Sequence, residues 1–247
     1  MTDTQTTTFR TRFGELRAAQ KRRTGVPLYT LAINRPVGRV LAAAAPPWAT
    51  PNVLTAVGAV FTFAAILALM LWADGAAWNA VIGLALVIGF FFDSADGQLA
   101  RLRGGGSALG EWLDHVIDGI RMVLLHLATL AYLVRVDVIP DAAAYALCLV
   151  FTVAASSTFF AGELFTKLTS VTATTTVTAR SRARSALMLP VDYGVLCWVY
   201  LLLPLPVAFT TVYALIALAK VLTSTALLTK WYRTLRREDA ARAATRV

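Results

Sequence analysis

Six predominantly apolar stretches recur along this chain, with no regular alternation of polar and apolar positions inside them. They run over 52–73, 79–100, 108–134, 141–165, 187–204 and 207–229. At about 1.5 Å per helical residue, each can cross a hydrocarbon layer about 30 Å thick. Such runs predict helices, because the strands of a membrane barrel alternate. Short polar links, "DGAAW", "RLRGGGS" and "RVDVIPD", separate the early runs, and Pro204 and Pro206 divide the last apolar block. A longer link, "TSVTATTTVTARSRARS", precedes the fifth run. The expected fold class is all-α: a polytopic membrane protein with six transmembrane helices.

Residues 9–46 follow a different pattern. "FRTRFGELRAAQKRRT" and "LYTLAINRPVGRVLAAAA" mix basic and apolar positions and are too short and too charged to span. They predict an N-terminal interfacial amphipathic helix, whose plainest role is a membrane-surface anchor. The first 25 residues have no early apolar core of a signal peptide and are expected to form a polar tail. The expected organisation is a cytoplasmic tail and interfacial segment over 1–46, a six-helix membrane domain over 47–232 and a basic cytoplasmic tail over 233–247.

Composition sharpens this reading. The 247 residues are 57% hydrophobic and 15% charged, against about 25% charged in a soluble domain. Of 23 Lys and Arg, eight precede the first run, two lie in "RLRGGGS", four lie around the link before the fifth run, and six follow from Lys230. These links all fall on one side, which predicts that both termini are cytoplasmic at the cell inner membrane. The net charge of +9 then suits an anionic leaflet and anionic substrates. No aromatic-basic platform accompanies it, so nucleic acid is not an expected partner. Cys148 and Cys197 lie inside apolar runs and read as small core residues.

Against this background the stretch "FFDSADGQLARLRGGGSALGEWLDHVIDGI" stands out. Asp93, Asp96, Asp114 and Asp118 lie within 26 residues, between two apolar runs. Ionised and facing lipid, they would cost roughly 10–14 kcal/mol together. They are therefore expected to face a wet or metal-filled cavity near the cytoplasmic edge. Asp93 and Asp96 share one side of a helix with Gly97 and Ala100. Gly110, Asp114 and Asp118 form one stripe on the next helix. The short link makes the two helices antiparallel neighbours, so the acid pairs converge. Carboxylates without His or Cys suit Mg2+ or Mn2+ rather than zinc. His115 and His126 lie off the stripe or deeper. Gly97, Ala100 and Gly110 leave space either for a ligand or for close helix packing, and Arg101 offers a donor fork to phosphate.

Taken together, Asp93-x2-Asp96-Gly97-x2-Ala100-Arg101-x8-Gly110-x3-Asp114-x3-Asp118 resembles the signature of the CDP-alcohol phosphotransferases. "TPNVLT", opening the first run, resembles that family's usual entry to its first helix. The resemblance implies a reaction in which an alcohol attacks the β-phosphorus of a CDP-linked substrate and CMP leaves. It implies two divalent ions, with Asp93, Asp96, Asp114 and Asp118 as metal ligands and Asp118 also as candidate general base. Asn52, Thr55, Asp96, Gly97, Ala100, Arg101 and Gly110 are the implied CDP-binding residues. It also implies a homodimer.

The expected donor is CDP-diacylglycerol and the expected acceptor a small polar alcohol, with the active site on the cytoplasmic side. In the alternative, a CDP-linked head group is donated to a lipid alcohol. "ARLRGGGSALGEWLDHVIDG" is similar to actinobacterial phosphatidylinositol-phosphate synthases. Their acceptor-binding Lys-x-Arg and Arg-Pro-Glu-Arg runs are replaced here by "FFAGELFTKLTS" and "RSRARSALMLPVDYG". Glu163, Arg180, Arg182, Arg184 and Asp192 are the acceptor-binding candidates. Helix-helix hydrogen bonding is the plain alternative for Glu163 and Asp192, and positive-inside charge for the arginines. A cation- or proton-coupled transporter is the remote alternative. The edge clustering and the absence of broken-helix symmetry between halves argue against it.

Overall fold

The structure, a computed structural model, describes residues 9–18, 28–73, 75–169 and 192–244. The elements it describes are all helical: α1 (Phe9–Ala18), α2 (Arg35–Ala44, preceded by a π turn over Thr30–Asn34), α3 (Pro51–Trp72), α4 (Ala76–Leu102), α5 (Ala108–Val136), α6 (Asp141–Leu168), α7 (Tyr193–Val199, continued by a 3-10 turn over Tyr200–Leu202) and α8 (Pro206–Ala244). Five of these, α3 to α6 and α8, are long and apolar enough to cross a membrane, and Tyr193–Leu202 forms a shorter apolar helix. The protein is a polytopic, all-α membrane protein.

Local chemistry sets the ends. Thr50 caps α3, its hydroxyl accepting from the Val53 N–H at 3.3 Å, with Pro51 in the first turn. Ser107 caps α5 by accepting from the Gly110 N–H at 3.0 Å. Between α4 and α5, Gly104 and Gly105 adopt φ of +91° and +134°, which only glycine takes without strain. Two hydropathy boundaries shift. The run expected over 207–229 belongs to a helix that continues to Ala244, since a helix outlasts its apolar stretch once Arg and Lys reach water. The fifth run is described only from Asp192, and its helix tightens into a 3-10 turn before Pro204.

Glycines decide which helices approach. A Cβ on Gly58 of α3 would lie 2.9 Å from the Gly89 carbonyl oxygen of α4. On the opposite face of α4, a Cβ on Gly83 would lie 2.6 Å from the Tyr200 carbonyl oxygen. The helix α4 therefore packs directly on α3 and on the turn after α7. It approaches α5 far less closely, although the two are joined by a short link; α3 instead contacts both. The expected antiparallel neighbours are separated, and the space between them is where the acids converge.

The N-terminal segment lies against the end of α4, burying Leu16, Ala42 and Ala43 with Ala95 and Leu99. It is pinned to α7 as well. Asp192 caps α7 by accepting from the Gly194 N–H at 2.8 Å and also accepts from the Thr30 hydroxyl at 2.9 Å. Trp198 Nε1 donates to the Tyr29 hydroxyl at 2.6 Å. Replacing Gly83 by Val should force main chain apart at Tyr200 and cost about 1–3 kcal/mol. The expected outcome is a lower thermal midpoint in detergent by tryptophan fluorescence; an unchanged midpoint would refute the close contact.

Candidate active site

Oxygen atoms of Asp93 on α4 and of Asp114 and Asp118 on α5 lie within 4.8 Å of one another. The i, i+4 spacing of the two α5 acids puts them on one side, and the gap between α4 and α5 lets Asp93 face them across it. Asp93 and Asp118 are one-fifth exposed, and Asp114 is 40% exposed. Three hard oxygen donors at this separation, with no thiolate among them, fit Mg2+ or Mn2+.

Asp96, the fourth predicted ligand, is more deeply buried than these three and takes the hydroxyl of Thr55 as a hydrogen-bond donor. Thr55 in turn lies on α3, so this bond ties the acid face of α4 to its packing partner. The predicted nucleotide residues gather on the same side. A Cβ on Gly110 would lie 3.2 Å from the Asn52 side-chain oxygen and 3.2 Å from the Ser107 hydroxyl, so a larger residue there would crowd both. Above Gly97, the nearest atom to a Cβ would be Nη1 of Arg101 at 3.6 Å. The Arg101 Nε is buried without a hydrogen-bond partner, a donor suited to a phosphate oxygen.

The acceptor candidates separate. Arg180, Arg182 and Arg184 lie outside the described residues. Asp192 spends its carboxylate on Gly194 and Thr30. Glu163 on α6 reaches across to α5, where its Oε2 meets His115 Nε2 at 2.9 Å. The other ring nitrogen of His115 lies 2.7 Å from the Glu111 carbonyl oxygen, which fixes a proton there. Nε2 is therefore left facing the Glu163 carboxylate, within hydrogen-bond distance. Both residues line a cavity of about 930 Å³ between α5 and α6, walled by Trp112, Val123, Leu124, Phe159 and Phe160.

Two residues here were missed by sequence reasoning. His115 sits 100° around the helix from Asp114, off the acid stripe, and its partner is 48 positions away, so only the packing of α5 on α6 reveals the pair. Arg121 was counted only as a charge within a run. Its signal was available, because it follows Asp118 by three residues and Asp114 by seven, close to the same face.

The fold and site together define a multispanning helical membrane protein with carboxylates converging near one end of its helices. The chain belongs to the CDP-alcohol phosphatidyltransferase family, which matches residues 48–235. The family takes its name from CDP-alcohol phosphatidyl transfer, and the Asp93, Asp114 and Asp118 cluster is suited to a metal ion. A 101-residue stretch, 38% of this chain, is 35% identical to cholinephosphotransferase 1 of Xenopus laevis, and it spans only 25% of that relative. The fold resembles the crystal structure of Mycobacterium tuberculosis phosphatidylinositol phosphate synthase with CDP-DAG bound, at TM-score 0.56 and 21% identity, covering 81% of this chain and 94% of that one. At that identity the likeness is one of fold.

Asp114→Asn should weaken Mn2+ binding by at least about tenfold. Asp192→Asn should leave it unchanged and lower the thermal midpoint instead. Equilibrium dialysis with Mn2+ and thermal unfolding of the two variants check the contrast; loss of Mn2+ binding in the Asp192 variant would overturn it.

Proposed function

We propose that the protein transfers a phosphorylated polar head group from a CDP-linked donor to the hydroxyl of a lipid alcohol, releasing CMP. One observation carries this direction: the His115–Glu163 pair lies on the wall of the large apolar cavity. A proton acceptor placed there serves a hydroxyl whose own body is apolar. The name of the amphibian relative, a cholinephosphotransferase, agrees with a head-group donor.

In this reading the lipid enters between α5 and α6 with its tails along Phe159, Phe160, Val123 and Leu124. Its hydroxyl reaches the polar end beside Asp114, whose carboxylate is 4.0 Å from the His115 ring. The alcohol oxygen bonds to the β-phosphorus, the bond from that phosphorus to the CMP oxygen breaks, and the hydroxyl proton passes to the His115–Glu163 pair. Asp118, the base expected from the family resemblance, is already engaged by Arg121 at 2.5 Å and serves the acid cluster. Asn52, Thr55, Gly97, Ala100, Arg101 and Gly110 hold the cytidine diphosphate, with Arg101 donating to phosphate. Asp93, Asp114 and Asp118, with Asp96 behind them, would hold two Mg2+ or Mn2+ ions, which would supply charge neutralisation for the diphosphate. Both termini and this site lie on the cytoplasmic side of the inner membrane.

The expected donor from sequence, CDP-diacylglycerol, makes a second reading in which the same cavity holds the donor's tails and a polar alcohol accepts. Two reaction arms with purified enzyme and Mg2+ separate them. One pairs CDP-choline, CDP-ethanolamine or CDP-glycerol with diacylglycerol; the other pairs CDP-diacylglycerol with glycerol phosphate, inositol, inositol phosphate or serine. Mass spectrometry should find product in the first arm, falling at least about 100-fold in His115→Asn and Glu163→Gln. Product confined to the second arm would overturn the proposed direction.

A further inference from the structure

We infer that Arg121 is a built-in counter-cation of the acid site, fixing Asp93 against Asp118 and limiting how many divalent ions bind before the nucleotide arrives. This rests on reading Asp93, Asp114 and Asp118 as metal ligands.

Arg121 is 4% exposed, in the interior of a helix apolar enough to span. Its Nη1 lies 3.2 Å from Asp93 Oδ1 on α4, and its Nη2 lies 2.5 Å from Asp118 Oδ1 on its own helix. The guanidinium carbon sits 4.2 Å from the ring centroid of Tyr193 on α7 and 5.6 Å from that of Phe90 on α4. One side chain thus joins α4, α5 and α7 behind the acids. Its Nε is buried without a hydrogen-bond partner, so the carboxylates and ring faces are its compensation.

Each bridged carboxylate keeps a second oxygen for a cation. A lysine could supply charge, but its single ammonium has no planar fork to span two carboxylates at fixed angles. Charge then sets stoichiometry. Four ionised carboxylates, Asp93, Asp96, Asp114 and Asp118, and one guanidinium sum to −3, which one divalent ion brings to −1. A second ion would make the buried site cationic until a diphosphate brings its own negative charge. The site should take one ion in the empty enzyme and a second with the CDP moiety.

Mn2+ binding to the full chain in detergent, followed by electron paramagnetic resonance, tests this. One Mn2+ per chain is expected alone, and two with CDP present. Arg121→Gln should bind the first Mn2+ at least about tenfold more tightly and admit a second without CDP. Its kcat at saturating metal should drop at least about 100-fold. Arg121→Lys should keep wild-type Mn2+ affinity yet lose kcat with little change in KM. A purely structural arginine would not yield tighter metal binding on removal. Unchanged or weaker Mn2+ affinity in Arg121→Gln, two ions without CDP in the wild type, or wild-type kcat in Arg121→Lys would each overturn the inference. If Arg121→Gln fails to fold, the lysine variant and the wild-type stoichiometry decide. Asp114→Asn with wild-type Mn2+ affinity would undo the metal reading itself, whatever Arg121 does.

Discussion

Burying charge in a lipid-embedded bundle is the constraint on which this structure turns. An ionised carboxylate at membrane depth costs about 2.5–3.5 kcal/mol on an insertion scale, so the acids of α4 and α5 require partners before substrate arrives. Each finds a different one. Asp96 takes the Thr55 hydroxyl from α3, while Asp93 and Asp118 share the Arg121 guanidinium. Asp114 is the most exposed of the four and lies toward His115 at the end of the bundle. The cost that sequence alone assigns to lipid exposure is met inside the protein by one buried cation and one hydroxyl.

That arrangement depends on unequal helix spacing. Small residues at Gly58, Gly83 and Gly89 draw α4 onto α3 and the turn after α7. Such close contact is the usual way helices gain packing energy where both faces are already apolar. The same pull moves α4 away from α5, although only residues 103–107 connect them. A cleft with acids on both walls results, closed behind by Arg121 and Tyr193. The N-terminal segment caps the bundle over Ala95 and Leu99 and is tied to α7 through Asp192. Changes at Asp192 or Tyr29 therefore act on the frame and reach the chemistry only through it.

What could be read in advance follows from which rules act locally. Lipid forces every backbone polar group to be satisfied within its own helix, so apolar run length alone located α3, α4, α5 and α6 to within a few residues. The acid stripe was readable because a period of 3.6 fixes which side chains share a face. Tertiary pairing was not readable. Glu163 and Asp192 looked alike, each an acid in or near an apolar run, yet one faces a histidine over a cavity and the other caps a helix. Nothing in their local sequence distinguishes them. Thr55 was expected beside the nucleotide, and its bond to Asp96 depends on the α3–α4 contact that the glycines create.

The geometry of α5 explains how a water-soluble nucleotide and a lipid can meet without sharing a compartment. Successive residues on a helix point 100° apart. Asp114 and Asp118 face the acid cleft, while their neighbours His115 and Gly119 face the apolar cavity. At Gly119 the missing side chain leaves that wall open, the nearest atom to a Cβ being Phe160 Cζ at 3.6 Å. The helix therefore acts as a partition, with the acid cluster on one side and, on the other, a mainly apolar cavity edged by Glu111, His115, Glu163 and Lys167. Its edge at Asp114 and His115 is the place where both compartments adjoin. The proposed reaction, which joins a phosphorus on the acid side to an oxygen carried by a lipid, is placed along that edge. The same geometry is the reason for proposing the base on α5 and α6 rather than in the acid cluster: in that reaction it approaches the oxygen from the lipid's side, opposite the leaving CMP.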